Sequence, residues 1–219
     1  MSVFKRTTLT TLVAAALGAG AMARYPGGTA HDRSSVGYSL SRNFLSDLGM
    51  TVAYNGAPNR LGSALFVASL LLLVVGLGAS VWTIVAVLRR ERASRQWAML
   101  AGMLMLLACV AFAGVAVTPE NRVMAVHVAF TFWGWRFVAL VGALMTVASF
   151  RSTLFRRQAT VAWLATTIVL AAYAAMLDWG PRLDTPAGFA TQVIAQKVAT
   201  CVIMIGLIYV AREADRARV

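Results

Sequence analysis

The sequence predicts an all-α membrane protein: one domain, built as a bundle of six transmembrane helices, with a short interfacial helix in its first outer loop. Of its 219 residues, 59% are hydrophobic and only 13% are charged. Its apolar runs approach the ~20 residues that a helix needs to cross a bilayer. Arginines cluster in the short segments between alternate runs, as in multi-pass proteins. Because backbone groups in lipid must be paired within their own segment, long apolar runs favour helices.

The first apolar run follows the basic pair Lys5 and Arg6 and ends in Ala21-Met22-Ala23. This pattern fits a retained first span, and it also fits a cleavable signal peptide. A retained span gives an even number of spans and places every short basic loop on one side. The six spans of this single domain, 1–219, are then expected at about 7–23, 62–88, 97–117, 123–150, 159–177 and 188–211.

The long loop between the first two spans contains the polar stretch 39–49, for which we predict a short helix at the membrane surface. Phe44, Leu45 and Leu48 fall on one side at helical spacing. Ser41 is suited to cap its start, and Gly49 to end it in a left-handed conformation. In a plainer alternative, the segment is a capped connector whose polar face meets only water.

The later spans differ in their small and polar residues. The second span has Gly76, Gly78 and Ser80, which allow close helix contact. A tight turn, 118–122, joins the third and fourth spans. The fourth carries His127 and Arg136, the fifth carries no charge between its basic start and Asp178, and the sixth carries two glutamines and a lysine.

The distribution of basic residues predicts the orientation. Twelve lie in the N-terminus, the loops after spans two and four, and the C-terminal tail, against six in the opposite loops. The twelve are Lys5, Arg6, Arg89, Arg90, Arg92, Arg95, Arg151, Arg156, Arg157, Arg212, Arg216 and Arg218. The positive-inside rule then places both termini in the cytoplasm of a multi-pass protein of the cell membrane. The net charge of +12 is thereby explained by contact with anionic lipid, and no nucleic-acid partner is predicted.

Several short motifs resemble the DUF998 family of prokaryotic integral membrane proteins. They are Tyr25-Pro26-Gly27-Gly28, Gly37-Tyr38-Ser39, Asn43-Phe44-Leu45-Ser46-Asp47-Leu48-Gly49, Leu65-Phe66, and His127 after a Pro-Glu-Asn turn. The Ser-Asp-Leu-Gly stretch is also remotely similar to the six-span Frag1/DRAM/Sfk1 proteins. The resemblance implies a six-helix membrane bundle with a retained first span. It implies no reaction, since DUF998 is a family of unknown function.

Ionisable groups inside spans are costly when unpaired, so each is a functional candidate. His127 and Lys197 lie on the outer side of their spans, about 7–8 Å and about 13 Å deep at 1.5 Å per residue. We expect them to meet the polar loop stretch in one outward-facing pocket, with Asp47 as the counter-charge of Lys197. The candidate ligand-binding residues are Arg42, Asn43, Ser46, Asp47, His127, Gln192, Gln196 and Lys197.

This composition predicts a site for an anionic lipid headgroup or a small anion. Lys197 would supply the charge, and the two glutamines would supply hydrogen-bond donors. One alternative is a membrane-embedded lipid hydrolase, in which Ser46, Asp47 and His127 would have to meet within hydrogen-bonding distance. Another is a non-catalytic subunit of a membrane complex, whose polar groups pair with one another. Whether the protein is an enzyme stays open.

No cofactor or metal is predicted. His31 and His127 are too few and too separated for a zinc site, and a single span histidine cannot supply two axial ligands to haem. Cys109 and Cys201 lie in apolar runs and are interpreted as packing residues. The predicted partners are the lipid bilayer and a bound anionic lipid; whether the protein has a protein partner stays open.

Overall fold

A computed structural model describes residues 1–217 of the chain. Within them it contains six α-helices and one 3₁₀ turn: α1 Val3–Arg24, α2 Arg60–Leu88, α3 Arg92–Val117, α4 Glu120–Phe150, α5 Arg157–Trp179 and α6 Pro186–Arg216, with the turn at Ser46–Gly49. Residues 1–217 contain no β-strand, only two isolated bridges, Gly27–Val36 and Val52–Pro58. The predicted all-α fold is confirmed.

Five of the helices, α2 to α6, are long and apolar enough to cross a membrane. The protein is therefore a multi-pass membrane protein by length and composition. α1 spans 22 residues but is not one of the five. Four threonines, Thr7, Thr8, Thr10 and Thr11, lower its hydropathy.

The helices form a closed ring, in which each one packs against the next in sequence and α6 returns to α1. At one end, which we call the basic end, the backbone N–H groups of Val3 and Phe4 donate to the Asp215 carboxylate at 2.8 and 2.9 Å. A carboxylate at a helix N-terminus satisfies otherwise unpaired donors and complements the helix dipole. This contact fixes the start of α1 to the last turn of α6.

α1 packs closely on α2 through polar and small residues. The hydroxyls of Thr7 and Ser80 are 2.7 Å apart, and the Ser69 hydroxyl donates to the Ala14 carbonyl at 2.7 Å. Such contacts are typical of helix pairs within membranes, where small residues allow close approach. The threonines that make α1 less apolar therefore include a residue that joins it to the bundle.

We expect Gly76→Ala to destabilise the α1–α2 pair. A Cβ atom at Gly76 would lie 2.0 Å from the Thr10 methyl carbon, whereas one at Gly20 would lie 3.5 Å from Leu65. Overpacking of this kind costs about 1–3 kcal/mol. Gly20→Ala is the matched control, because it adds the same methyl group in ordinary contact. Thermal unfolding in detergent should show a loss for Gly76→Ala only; equal losses for both would contradict this packing.

Residues 25–59, which we call the cap loop, cover the end of the ring opposite the basic end. The predicted short helix over 39–49 is wrong, because only Ser46–Gly49 forms a single 3₁₀ turn. That turn is buried against α2 and α4 rather than lying on a surface. Ser41 makes no cap, and Gly49 does not have a positive φ angle. Gly49 is instead a point of close approach, since a Cβ there would lie 2.9 Å from the Phe66 ring.

Candidate functional site

Asn43 lies at the centre of the cap loop and is fully buried. Its side-chain amide donates to the Gly28 carbonyl at 3.1 Å and to Asp47 Oδ2 at 2.9 Å. Its Oδ1 accepts from the Ser39 N–H at 3.0 Å, and its backbone carbonyl accepts from Lys197 Nζ at 2.6 Å. One asparagine thus joins three parts of the loop to each other and to α6.

Lys197 reaches from α6 into the underside of the cap loop. Besides Asn43, its ammonium approaches the Val193 carbonyl at 3.5 Å and lies 5.4 Å from the centre of the Tyr38 ring. No ion pair involves Lys197 within residues 1–217. Carbonyl dipoles and an aromatic face thus stabilise the charge of Lys197. They are not negatively charged, so they do not neutralise it.

Asp47 is near Lys197 but does not contact it directly; both bond to Asn43. Oδ2 of Asp47 also accepts from the Phe44 N–H at 3.1 Å, while Oδ1 is buried without a hydrogen-bond partner among residues 1–217. Burial, followed by the charge of Glu120, raises the pKa of the Asp47 carboxyl well above its usual value. Asp47 is therefore biased towards its neutral form, which weakens it as a counter-charge.

The raised pKa of the Asp47 carboxyl predicts that the stability of the protein depends on pH. The pKa of Asp47 is higher in the folded protein than in the unfolded chain, where it is about 4. The protonated carboxyl therefore stabilises the fold fully below about pH 4, and this stabilisation is lost as pH rises through the folded pKa. Each pH unit between the two values corresponds to about 1.4 kcal/mol. We expect wild-type protein to lose thermal stability as pH rises above about 5, and Asp47→Asn to lose less.

Asp32→Asn is the control for that test. The Asp32 carboxylate accepts hydrogen bonds from Ser34, which lower the pKa of Asp32. Its contribution is therefore lost only as pH falls through that low value, so the substitution should leave the slope above about pH 5 unchanged. A slope in Asp47→Asn as steep as that of the wild type would show that Asp47 does not hold its proton in the folded state.

The two predicted glutamines have structural partners at this end of α6. Gln196 Oε1 accepts from the Leu45 N–H at 2.7 Å, and Gln192 Nε2 donates to the Pro181 carbonyl at 2.7 Å. Both are buried. Gln196 thus bonds the cap loop to α6, and Gln192 bonds the turn that precedes α6 to the same helix.

Ser46 and His127 meet at Glu120, a residue that the sequence did not single out. The Ser46 hydroxyl donates to Glu120 Oε2 at 3.2 Å, and His127 Nε2 lies 3.9 Å from the same oxygen. His127 Nδ1 is 2.6 Å from the Thr118 carbonyl, which can only accept, so Nδ1 carries the hydrogen. The only advance sign of Glu120 was its place in the Pro-Glu-Asn turn.

The contacts needed for a hydrolytic triad are absent from this arrangement. Within residues 1–217, no hydrogen bond joins Ser46 to His127 or Asp47 to His127. The base nitrogen faces a carboxylate that already accepts from the serine. The geometry therefore gives no support to a Ser46–His127–Asp47 hydrolase.

Two arginines lie outside this cluster. Arg42 is exposed on the cap loop, and its charge acts on the Asp32 carboxyl. Arg136 pairs with Asp178, donates to the Phe132 carbonyl at 2.8 Å and lies 3.2 Å from the centre of the Phe132 ring. Arg136 thus links α4 to α5 and is internally satisfied.

An apolar cavity of about 480 Å³ lies beneath the cap loop and is lined by residues of α1, α2, α3, α4 and α6. Leu73, Leu77 and Met105 are among its walls, and Lys197 and Gln196 lie at its polar end beside Ser46. Ligand sites typically measure about 300–1,000 Å³ and combine apolar walls with a few convergent polar groups. The cavity has both properties. The sequence predicted a polar pocket around Gln196 and Lys197, but it did not predict these apolar walls.

The described residues 1–217 contain no cluster of three or more His, Cys, Asp or Glu side chains that could hold a metal ion, and both cysteines are free. The candidate site therefore consists of the cap-loop polar network and the cavity below it. No family model matches the chain, and no match to it was found among curated proteins or among solved structures.

Proposed function

We propose that this chain is a six-span protein of the cell membrane that binds an anionic lipid headgroup or a small anion beneath its cap loop. The observation that carries the proposal is Lys197: a cation inside the bundle, at the polar end of an apolar cavity, with no ion-pair partner among residues 1–217. A charge in this setting requires a counter-charge, and an anionic ligand would supply it. Asp47, which bonds to the same asparagine as Lys197, makes no ion pair with it, and the raised pKa of the Asp47 carboxyl weakens it as the counter-charge.

We propose α1 as the sixth span, retained in the mature protein. In support, its threonine and alanine positions bond to α2, and its N-terminus is capped by Asp215 of α6. A cleaved signal sequence would not need such contacts. The measurement is the intact mass of the purified protein. A mass that corresponds to a chain with α1 would support retention of this helix, whereas the mass of a chain beginning at Arg24 would contradict it.

We also propose that both termini are cytoplasmic and that the cap loop faces outwards. The basic end of the bundle brings together the short segments that carry most of the arginines, which supports this orientation. Some of the residues behind the likeness to DUF998, including Asn43 and Asp47, lie in the cap-loop network, whereas Leu65, Phe66 and His127 lie in helices.

Cysteine labelling tests the orientation. With Cys109 and Cys201 replaced by alanine, Ala93→Cys at the basic end and Ala30→Cys in the cap loop each provide one exposed thiol. We expect an impermeant maleimide to label Ala30→Cys in intact cells, and Ala93→Cys only after the membrane is opened. The reverse pattern would invert the topology.

Native mass spectrometry of the detergent-purified wild-type protein tests binding. We expect a retained species whose mass belongs to an acidic lipid or another organic anion. A protein that carries only zwitterionic lipid, or no ligand in any detergent, would contradict the proposal.

A further inference from the structure

We infer that the ligand is a single-chain acidic amphiphile, such as a fatty acid or a lysophospholipid. Its chain would fill the cavity below the cap loop, and it would enter from the bilayer between α1 and α6. This inference rests on the proposed function and adds the ligand's shape and its route. Three features of the cavity carry it: its volume, the few polar groups at its end, and the exposed residues in its wall.

The cavity has the size of a small-molecule site. Its volume of about 480 Å³ lies in the lower half of the range of about 300–1,000 Å³ that is typical of ligand pockets. This size favours an amphiphile with one chain over a phospholipid with two.

The polar end of the cavity fits one acid group. Among residues 1–217, Lys197 provides the only cation in the cavity wall. Gln196 has its Oε1 engaged by Leu45, while no hydrogen bond within residues 1–217 uses its Nε2, which is left as a donor. An ammonium and an amide together match a single carboxylate or phosphate oxygen pair. The exposed Arg42 is not part of this wall and would not contribute to it.

Most of the exposed residues in the cavity wall lie between α1 and α6, and we place the opening there. They are Ala15 and Ala19 of α1 and Cys201 of α6, and a fourth is Leu40 of the cap loop. At the basic end the same two helices are held together by the Asp215 cap on Val3 and Phe4. The opening is therefore in the half of the seam nearer the cap loop. Because α6 is a membrane span, this opening faces hydrocarbon, which favours entry from the bilayer.

The first experiment compares ligands of different shape. Delipidated wild-type protein is incubated with phosphatidylcholine vesicles that contain oleic acid, lysophosphatidylglycerol or dioleoyl phosphatidylglycerol, and bound species are read by native mass spectrometry. We expect severalfold more bound oleate or lysophosphatidylglycerol than dioleoyl phosphatidylglycerol. Preference for the two-chain lipid would overturn this inference and leave the proposed function standing. Binding of inorganic phosphate alone would likewise overturn it, and binding of no anion would overturn both.

The second experiment tests the route. Ala15→Phe places a large side chain in the cavity wall, whereas Ala16→Phe places the same side chain on an exposed neighbour outside that wall. We expect Ala15→Phe to lower the oleate-loaded fraction severalfold and Ala16→Phe to leave it unchanged. Equal loading in both variants would overturn entry through this seam.

A third measurement does not depend on these variants folding well. In Cys109→Ala protein, Cys201 is the only thiol and lies in the cavity wall. We expect bound oleate to slow its reaction with a membrane-permeant maleimide severalfold, relative to vesicles of phosphatidylcholine alone. An unchanged labelling rate under saturating oleate would place the chain elsewhere and overturn the inference.

Discussion

Replacing Lys197 with methionine is expected to abolish retention of the anionic ligand. Methionine keeps a similar length and apolar character while removing the charge at the polar end of the cavity. A hydrogen bond to a charged group contributes about 1.5–3 kcal/mol. Loss of that bond corresponds to about a 10- to 100-fold weaker affinity. The measurement is a binding isotherm for an anionic amphiphile added to delipidated protein.

The chain offers a matched control, since its only other lysine is Lys5, which is exposed at the opposite end. Lys5→Met makes the same chemical change away from the cavity and should bind like the wild type. If Lys197→Met bound as tightly as Lys5→Met, the cation would have no role in binding.

Replacing Asn43 with alanine is expected to cause the largest loss of stability. The substitution removes three buried hydrogen bonds and leaves the Gly28 carbonyl, the Ser39 N–H and Asp47 Oδ2 with fewer partners. Buried polar groups left unsatisfied cost about 1–3 kcal/mol each, so we expect about 3–5 kcal/mol in total. This corresponds to a fall of about 10 °C in the unfolding temperature of a chain of this size.

Asn55→Ala provides the comparison for Asn43. Asn55 is an exposed residue of the same loop, and its side chain accepts one local hydrogen bond from the Ala57 N–H. Its replacement should cost less than about 1 kcal/mol. Thermal unfolding in one detergent, followed by tryptophan fluorescence, measures both variants. Losses of similar size would show that Asn43 does not organise the cap loop.

The helices were predictable because each carries its own signal along the chain. Runs of about 20 apolar residues with arginines at their ends predict helices wherever backbone groups must be paired in lipid. α1 was harder to classify, because its threonines lower its hydropathy and bond to α2 only in three dimensions. The observed helix ends differ from the predicted span ends mainly where polar residues extend a helix beyond the apolar run, as Arg212–Arg216 do at the end of α6.

The cap loop was less predictable, because its conformation depends on contacts distant in sequence. Helical spacing of Phe44, Leu45 and Leu48 predicted a helix, but Gln196 and Lys197 instead bind the backbone of this segment from α6. Those bonds join residues about 150 positions apart, and no local pattern reports them. Packing brings most of the polar candidates to one end of the bundle, but Arg42 lies outside the cluster, and Glu120 and the apolar walls of the cavity were not predicted.

Photolabelling with a fatty acid that carries a diazirine near the end of its chain tests the central claim most directly. If an acidic amphiphile binds with its acid at Lys197 and its chain inside the ring, peptide mapping should place the label on cavity residues such as Leu73, Leu77 and Met105. Excess oleate should suppress this labelling, and Lys197→Met should prevent it. Labelling confined to lipid-facing neighbours such as Leu106 and Val110, unaffected by oleate or by Lys197→Met, would contradict the account.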